Sequence, residues 1–213
     1  MKKIILAASL AGAFAIASQQ ASASTITVNF DSVATSGGIA SGAPVSTYLS
    51  GYGITFSSSY TYISPYVIDY SLAPWVAVVS APNFFTTGGS AVYYTYDFAF
   101  STPLDSFGFT VPGVACGSTM AAWSATALSA TSTVLDSTAN GGISQCTPSV
   151  AYLLNGPGIT DVRFSSNAYD FAGMNLNVDN LVLKTVPEPI TLSLFGFGLA
   201  GAVAMRRRKI ASA

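Results

Sequence analysis

The chain has 213 residues, of which 50% are hydrophobic and 8% charged, with a formal net charge of −1 and no histidine. Such an apolar, nearly neutral composition excludes a disordered chain and a nucleic-acid binder. Without histidine there is no Ser-His-Asp or Cys-His nucleophile and no His-ligated metal site. A mean hydropathy of +0.50 is high for an ordinary domain, and the two ends of the chain account for part of it.

Residues 1–23 read as a secretory signal peptide. Lys2 and Lys3 form a basic start, Ile4 to Ala17 an apolar segment, and Ala21-Ser22-Ala23 a small-x-small cleavage pattern. The mature chain is expected to begin at Ser24.

Residues 24–186 form the body. It holds eight Asp, no Glu, and only Arg163 and Lys184 as cations, a net charge of −6. Helix-favouring Glu, Lys and Arg are almost absent, whereas β-branched and aromatic residues abound. The body therefore reads as all-β.

The periodicity supports that reading. Thr25 to Phe30 alternates polar and apolar, as a half-buried strand does. Gly53 to Phe56 opens another strand after a Gly-rich turn. Tyr60 to Tyr70 is aromatic and β-branched around Pro65, and Trp75 to Val79 is a short apolar run between prolines. Ser90 to Phe100 alternates at Val92, Tyr94, Tyr96, Phe98 and Phe100. Phe107, Phe109 and Val111 form a separate period-2 set that stops at Pro112-Gly113. Weaker strands are expected over Met120 to Leu128 and Ser132 to Leu135, and stronger ones over Ile159 to Phe164 and Met174 to Leu183. Turns are expected at Gly37-Gly38, Gly88-Gly89, Gly141-Gly142 and Asn155-Gly156-Pro157-Gly158. Eight or more strands at this spacing predict a single β-sandwich or jelly roll, without internal repeats.

Cys116 and Cys146 are the only cysteines. In an exported protein such a pair suggests a disulfide, here closing a loop of about 30 residues. The chain has no Gly-x-Ser-x-Gly and no phosphate-binding loop. Paired Asp residues could in principle hydrolyse a glycoside, but no spacing raises one pair above another. A secreted hydrolase is accordingly disfavoured, and no catalytic residue is assigned.

The C-terminal segment, 187–213, has three parts. Pro187-Glu188-Pro189 is followed by an uncharged apolar stretch from Ile190 to Met205, rich in Gly, and then by Arg206-Arg207-Arg208-Lys209. Sixteen residues make a helix of about 24 Å, slightly short of the roughly 30 Å hydrocarbon core. The basic cluster belongs on the cytoplasmic side. These residues resemble the PEP-CTERM sorting signal of Gram-negative bacteria, a tail also catalogued as an ice-binding protein C-terminal motif. The resemblance implies an exosortase-type processing enzyme as partner and a transient anchor in the cytoplasmic membrane. It further implies a cell-surface or extracellular destination, and an association with exopolysaccharide or biofilm.

Parts of the body also resemble PEP-CTERM surface proteins with a jelly-roll domain. The matching segments are Phe30-Asp31, Tyr48 to Phe56, Ile159 to Phe164 and Val178 to Leu183. Carbohydrate-binding jelly rolls often hold a structural Ca²⁺ where first and last strands meet. The resemblance would put Asp31, Asp179 and Asn180 there, residue types suited to Ca²⁺. The competing reading is that these residues end strands and cap turns. Tyr66, Trp75 and Tyr93 are candidate sugar-stacking residues, although alternate aromatics of the same region, such as Tyr96 and Phe98, are expected in the core. The sequence thus predicts a non-enzymatic exported surface protein, with a Ca²⁺-stabilised lectin-like module as the alternative.

Overall fold

The structure, a computed structural model, describes residues 23–34, 39–41, 43–59, 66–69, 79, 83–86, 94–114, 122–141, 146–166 and 177–186. The body forms one compact unit over Thr25–Val186, apart from Met1–Ser24 and Pro187–Ala213. Its elements in chain order are β1 (Thr25–Val28), β2 (Ile39–Ser41), α1 (Ala43–Ser50) and β3 (Ile54–Ser58). Next come β4 (Tyr66–Asp69), β5 (Asn83–Thr86) and β6 (Tyr94–Val111). The chain continues with β7 (Trp123–Ser129), β8 (Val134–Asn140), β9 (Val150–Ser166) and β10 (Asn177–Thr185).

Among the described residues all strand pairings are antiparallel. The larger sheet runs β1-β10-β6-β9-β7-β8, with β3 on the first half of β6. The smaller sheet, β2-β4-β5, joins it through the first residues of β10, where Val178 stands opposite Phe85. Phe85 reaches across to the larger sheet. Its ring centroid lies 5.7 Å from Phe56, 5.4 Å from Phe98 and 5.4 Å from Phe30. The apolar faces of both sheets are thus buried against each other, and the body is an antiparallel β-sandwich.

The core is aromatic. Tyr96, Phe98, Phe107, Phe109 and Phe164 are fully buried on β6 and β9. Phe98 and Phe164 meet edge to face, as do Phe109 and Phe164, the geometry the ring quadrupole favours.

The two period-2 sets around Tyr96 and Phe107 belong to one 18-residue strand. Its inward residues are Tyr96, Phe98, Phe100 and Leu104, then Phe107, Phe109 and Val111. The pairing with β9 shifts between Ala99 and Leu104 and again before Ser106. An extra residue in a strand reverses the facing of all that follow, so one bulged strand reads in sequence as two. The turn expected at Asn155 to Gly158 is likewise inside a strand. β9 runs through it, with Gly158 at a φ of 87° that suits glycine.

Three elements are absent from the sequence reading. β5, Asn-Phe-Phe-Thr, is buried at all four residues and so shows no alternation. β2 has three residues, too few for a period. α1 carries Pro44 in its first turn, where a missing N–H costs little. It buries Val45 and Leu49, four residues apart, and ends at Ser50, just before Gly51. The expected strand from Ser132 is instead β8, starting at Val134 and reaching Asn140 along the sheet edge. Residues 60–65 and 70–78, which cover parts of two expected strands, lie outside the described residues.

Candidate functional site

The first feature is the corner where the body begins and ends. β1 pairs with β10 so that Thr25 stands opposite Lys184 and Val28 opposite Leu181. Val186 N–H then donates to the Pro103 carbonyl at 3.4 Å. A cavity of about 60 Å³ opens here, lined by Ile26, Tyr52, Phe100, Leu104, Leu183 and Thr185 among others. The sorting residues Pro187, Glu188, Pro189, Arg206, Arg207 and Arg208 follow this corner in the chain and lie outside the described residues, as do residues 1–22. Among the described residues no helix is long and apolar enough to cross a membrane.

The second feature surrounds Asn83, which sequence reasoning missed. This residue is buried at the start of β5. Its backbone N–H donates to Asp31 Oδ1 at 3.2 Å. Its side-chain Nδ2 faces the carbonyls of Phe30, Asp31 and Val33 at 3.1, 3.4 and 3.1 Å. One amide group therefore ties the smaller sheet to the turn after β1. Its Oδ1 is buried and accepts no hydrogen bond. No sequence pattern marks Asn83, because its partners are backbone carbonyls some fifty positions away.

Asp179 is fully buried in β10, opposite Thr110, with its Oδ1 accepting the Asn180 N–H at 2.7 Å. Asn180 takes a left-handed φ of 47°, which Asn tolerates. Here the pairing with β6 shifts, and β10 passes from the smaller sheet to the larger. Asp31 and Asp179 thus both lie next to β5, Asp31 bonded to its first residue and Asp179 directly after the Val178–Phe85 pair. Among the described residues no group of three His, Cys, Asp or Glu side chains could hold a metal. A cation here would depend on amide or carbonyl oxygens as well as on the two carboxylates, and Asn83 Oδ1 is an oxygen of that kind.

The third feature lies on the outward face of the larger sheet. Arg163 of β9 stands opposite Asp97 of β6 and donates to it through Nε at 2.8 Å and Nη2 at 3.4 Å. Asp161, two residues along β9, faces the same way. Burial, reinforced by the Asp97 carboxylate and opposed by Arg163, pushes Asp161 up to about 6. Its Oδ1 is buried and accepts no hydrogen bond. The Asp97 hydrogen bonds raise Arg163 further above its already high value. Arg163 is one of two cations in the body, a hint in the sequence that it has a defined partner.

Of the candidate sugar-stacking residues, Tyr66 falls in β4, opposite Thr86, while Trp75 and Tyr93 lie outside the described residues. Tyr96 and Phe98 fill the core, as the alternation implies. Cys146 lies within the described residues and is not a free thiol, whereas Cys116 lies outside them.

Residues 185–209 match the family model described as the PEP-CTERM protein-sorting motif. No curated protein sequence matches the chain. Among solved structures, the K2 cleaved adhesin domain of Lys-gingipain is similar at a TM-score of 0.47 and 13% identity, covering 75% of this chain and 99% of that one. The K1 adhesin domain of Lys-gingipain from Porphyromonas gingivalis W83 follows at 0.45 and 10%, covering 76% and 99%. A mutant of CBM29-2, a family 29 carbohydrate-binding module, gives 0.33 and 15%, covering 77% and 92%. No functional residue is carried over from these. The sorting motif implies export to the cell surface and processing by an exosortase. The chain carries a PEP-CTERM sorting motif directly after the last strand of an antiparallel β-sandwich.

Proposed function

We propose that this chain is a non-enzymatic surface or extracellular-matrix protein, delivered through its PEP-CTERM tail and associated with exopolysaccharide or biofilm. The motif over residues 185–209 carries this reading. An acidic sandwich with only two cations, no histidine and a Ser/Thr-rich composition suits a hydrated matrix better than catalysis. The test is a pull-down of the mature protein with the host's own exopolysaccharide. Co-fractionation that is lost when the polysaccharide is enzymatically removed supports the association, and unchanged fractionation removes it.

One observation favours a second reading, a Ca²⁺-stabilised lectin-like module. Asn83 Oδ1 is a buried oxygen without a donor, in the residue whose N–H is bonded to Asp31. Asp31, Asn83, Asp179 and Asn180 would supply the oxygens a hard cation takes. A melting temperature raised by Ca²⁺ and lowered by chelator supports the cation. Saturable, sugar-competed glycan binding supports the lectin. Identical melting in both conditions leaves the Asp residues as strand-end caps.

A further inference from the structure

The Asp161 carboxyl occupies the bend of the two longest strands. Asp161 stands opposite Ala99 of β6 on one side and Leu128 of β7 on the other. On both sides the next paired residue of β9 is Ile159, opposite Leu104 and Ser129, and both ladders shift register in between. Asp161 is thus the last regularly paired residue of β9 before both of its neighbours slip. Just beyond lie Gly158, with its left-handed backbone, and Pro157. A strand that loses register on both edges at one point has its fewest constraints there.

The groups facing this point carry little compensation for a charge. β6 presents Asp97, β9 itself presents Arg163, and β7 presents the uncharged Leu128 and Thr126. Arg163 is already bonded through two nitrogens to Asp97. The buried Asp161 Oδ1 has no donor. An ionised Asp161 therefore meets a like charge, a cation committed elsewhere and a partly dry setting, whereas a neutral one escapes the repulsion and is desolvated at a much smaller cost.

We propose that Asp161 is a pH-responsive latch on the β6–β9 bend, tight when its carboxyl is protonated and loosened when it ionises. The folded-state value of about 6 lies above the ordinary 3.8. The folded protein therefore holds this proton more firmly than the unfolded chain, and the stabilisation is full below about 4. It is lost as pH rises through about 6 and stays lost above. Over that range the bend is expected to open at the register shifts of β9 against β6 and β7.

The experiment is thermal melting of the full chain in detergent from pH 4.5 to 8, with amide hydrogen exchange at Leu128 to Ser129 and at Ile159 to Asp161. It compares wild type with Asp161→Asn, Asp97→Asn and Arg163→Gln. Asp161→Asn is expected to melt above wild type at pH 8 and to exchange more slowly at the bend, the difference closing towards pH 4.5. Asp97→Asn removes the like charge and frees Arg163, so the midpoint of the wild-type transition moves down. Arg163→Gln moves it up. A gap between wild type and Asp161→Asn that is the same at both pH values overturns the latch. If Asp161→Asn fails to fold, midpoints of the other two variants that do not move in opposite directions overturn it equally.

Discussion

Thr25, the first residue of β1, stands opposite Lys184, the penultimate residue of β10, so the body begins and ends at one corner. The predicted signal-peptide cleavage point after Ala23 and the start of the Pro-Glu-Pro segment at Pro187 both lie within three residues of that pair in sequence. This arrangement makes a direct expectation about the chain's connectivity. A circular permutant, joining Val186 to Ser24 by a short Gly-Ser linker and opening the exposed Thr131–Ser132 hairpin tip, should keep the fold. Its circular dichroism and cooperative melt should match those of the body with natural ends. A permutant without a cooperative transition would show that the corner is not closed as described.

Phe98 is the residue on which both sheets converge. Its ring touches those of Phe56, Phe85, Tyr96, Phe107 and Phe164 at centroid distances of 5.4 to 6.4 Å. Phe98→Ala should lower unfolding free energy by about 3–5 kcal/mol, as buried Phe truncations do. Chemical denaturation measures it. A loss below about 1 kcal/mol would mean that the aromatic cluster is not the core.

Asn83 is the polar counterpart. Removing its side chain takes the amide donor away from the Asp31 and Val33 carbonyls, while the Phe30 carbonyl keeps only the Val33 N–H. Asn83→Ala should cost about 2 kcal/mol or more, because an unsatisfied buried polar group loses its solvation without replacement. Asn83→Asp should cost more, since it removes that donor and puts a carboxylate beside the same carbonyls. Equal melting of wild type and Asn83→Ala would leave the amide without a structural role.

How much of this is legible in the sequence differs between the two. Phe98 announces itself by alternation, because a strand buried on one face writes period 2 into the chain. The strand that holds it reads as two, since the bulge near Leu104 and Ser106 resets the phase and the period survives only on each side of it. Asn83 sits in a four-residue strand buried throughout, where no alternation exists to be read, and its bonds reach carbonyls fifty positions distant. The Asp97–Arg163 pair can be guessed from the scarcity of cations but not placed, since only the register of β6 against β9 puts the two side by side. The sorting tail is readable in full because its information lies in residue types and order, not in a fold.

The cysteine pair is expected to close a loop over the β7–β8 hairpin. An isolated antiparallel bridge joins Val114 to Thr147, with hydrogen bonds of 2.9 and 3.2 Å, which brings the chain next to each cysteine together. A Cys116–Cys146 bond enclosing about 30 residues is worth about 3 kcal/mol in the chain-entropy model. Non-reducing peptide mapping should recover the linked pair, and reduction should lower the melting temperature. Two alkylated thiols in the unreduced mature protein would exclude the bond.

Tyr48 offers a test at alkaline pH. Its hydroxyl donates to the Asn29 carbonyl and receives a hydrogen bond from Ser32. Burial pushes it up to about 12 from the ordinary 10.0, with Tyr52 and Asp31 adding and Ser32 opposing. The folded state resists losing this proton, so the contribution is full below about pH 10 and is lost as pH rises through about 12. Alkaline titration followed by tyrosinate absorbance should show Tyr48 among the late-ionising tyrosines, beside the fully buried Tyr96, and Tyr48→Phe should shrink that phase by one tyrosine. A late phase of unchanged amplitude in the variant would assign it to other tyrosines.

The central claim is that residues 187–213 address this β-sandwich to the cell surface. Its most direct test is surface labelling of the protein in its host, comparing the full chain with one ending at Val186. The truncated protein should be exported and folded but lost from the surface-labelled fraction, and the Arg206→Ala, Arg207→Ala, Arg208→Ala triple variant should accumulate unprocessed in the cytoplasmic membrane. Surface labelling of the truncated chain at the level of the full one would contradict the account.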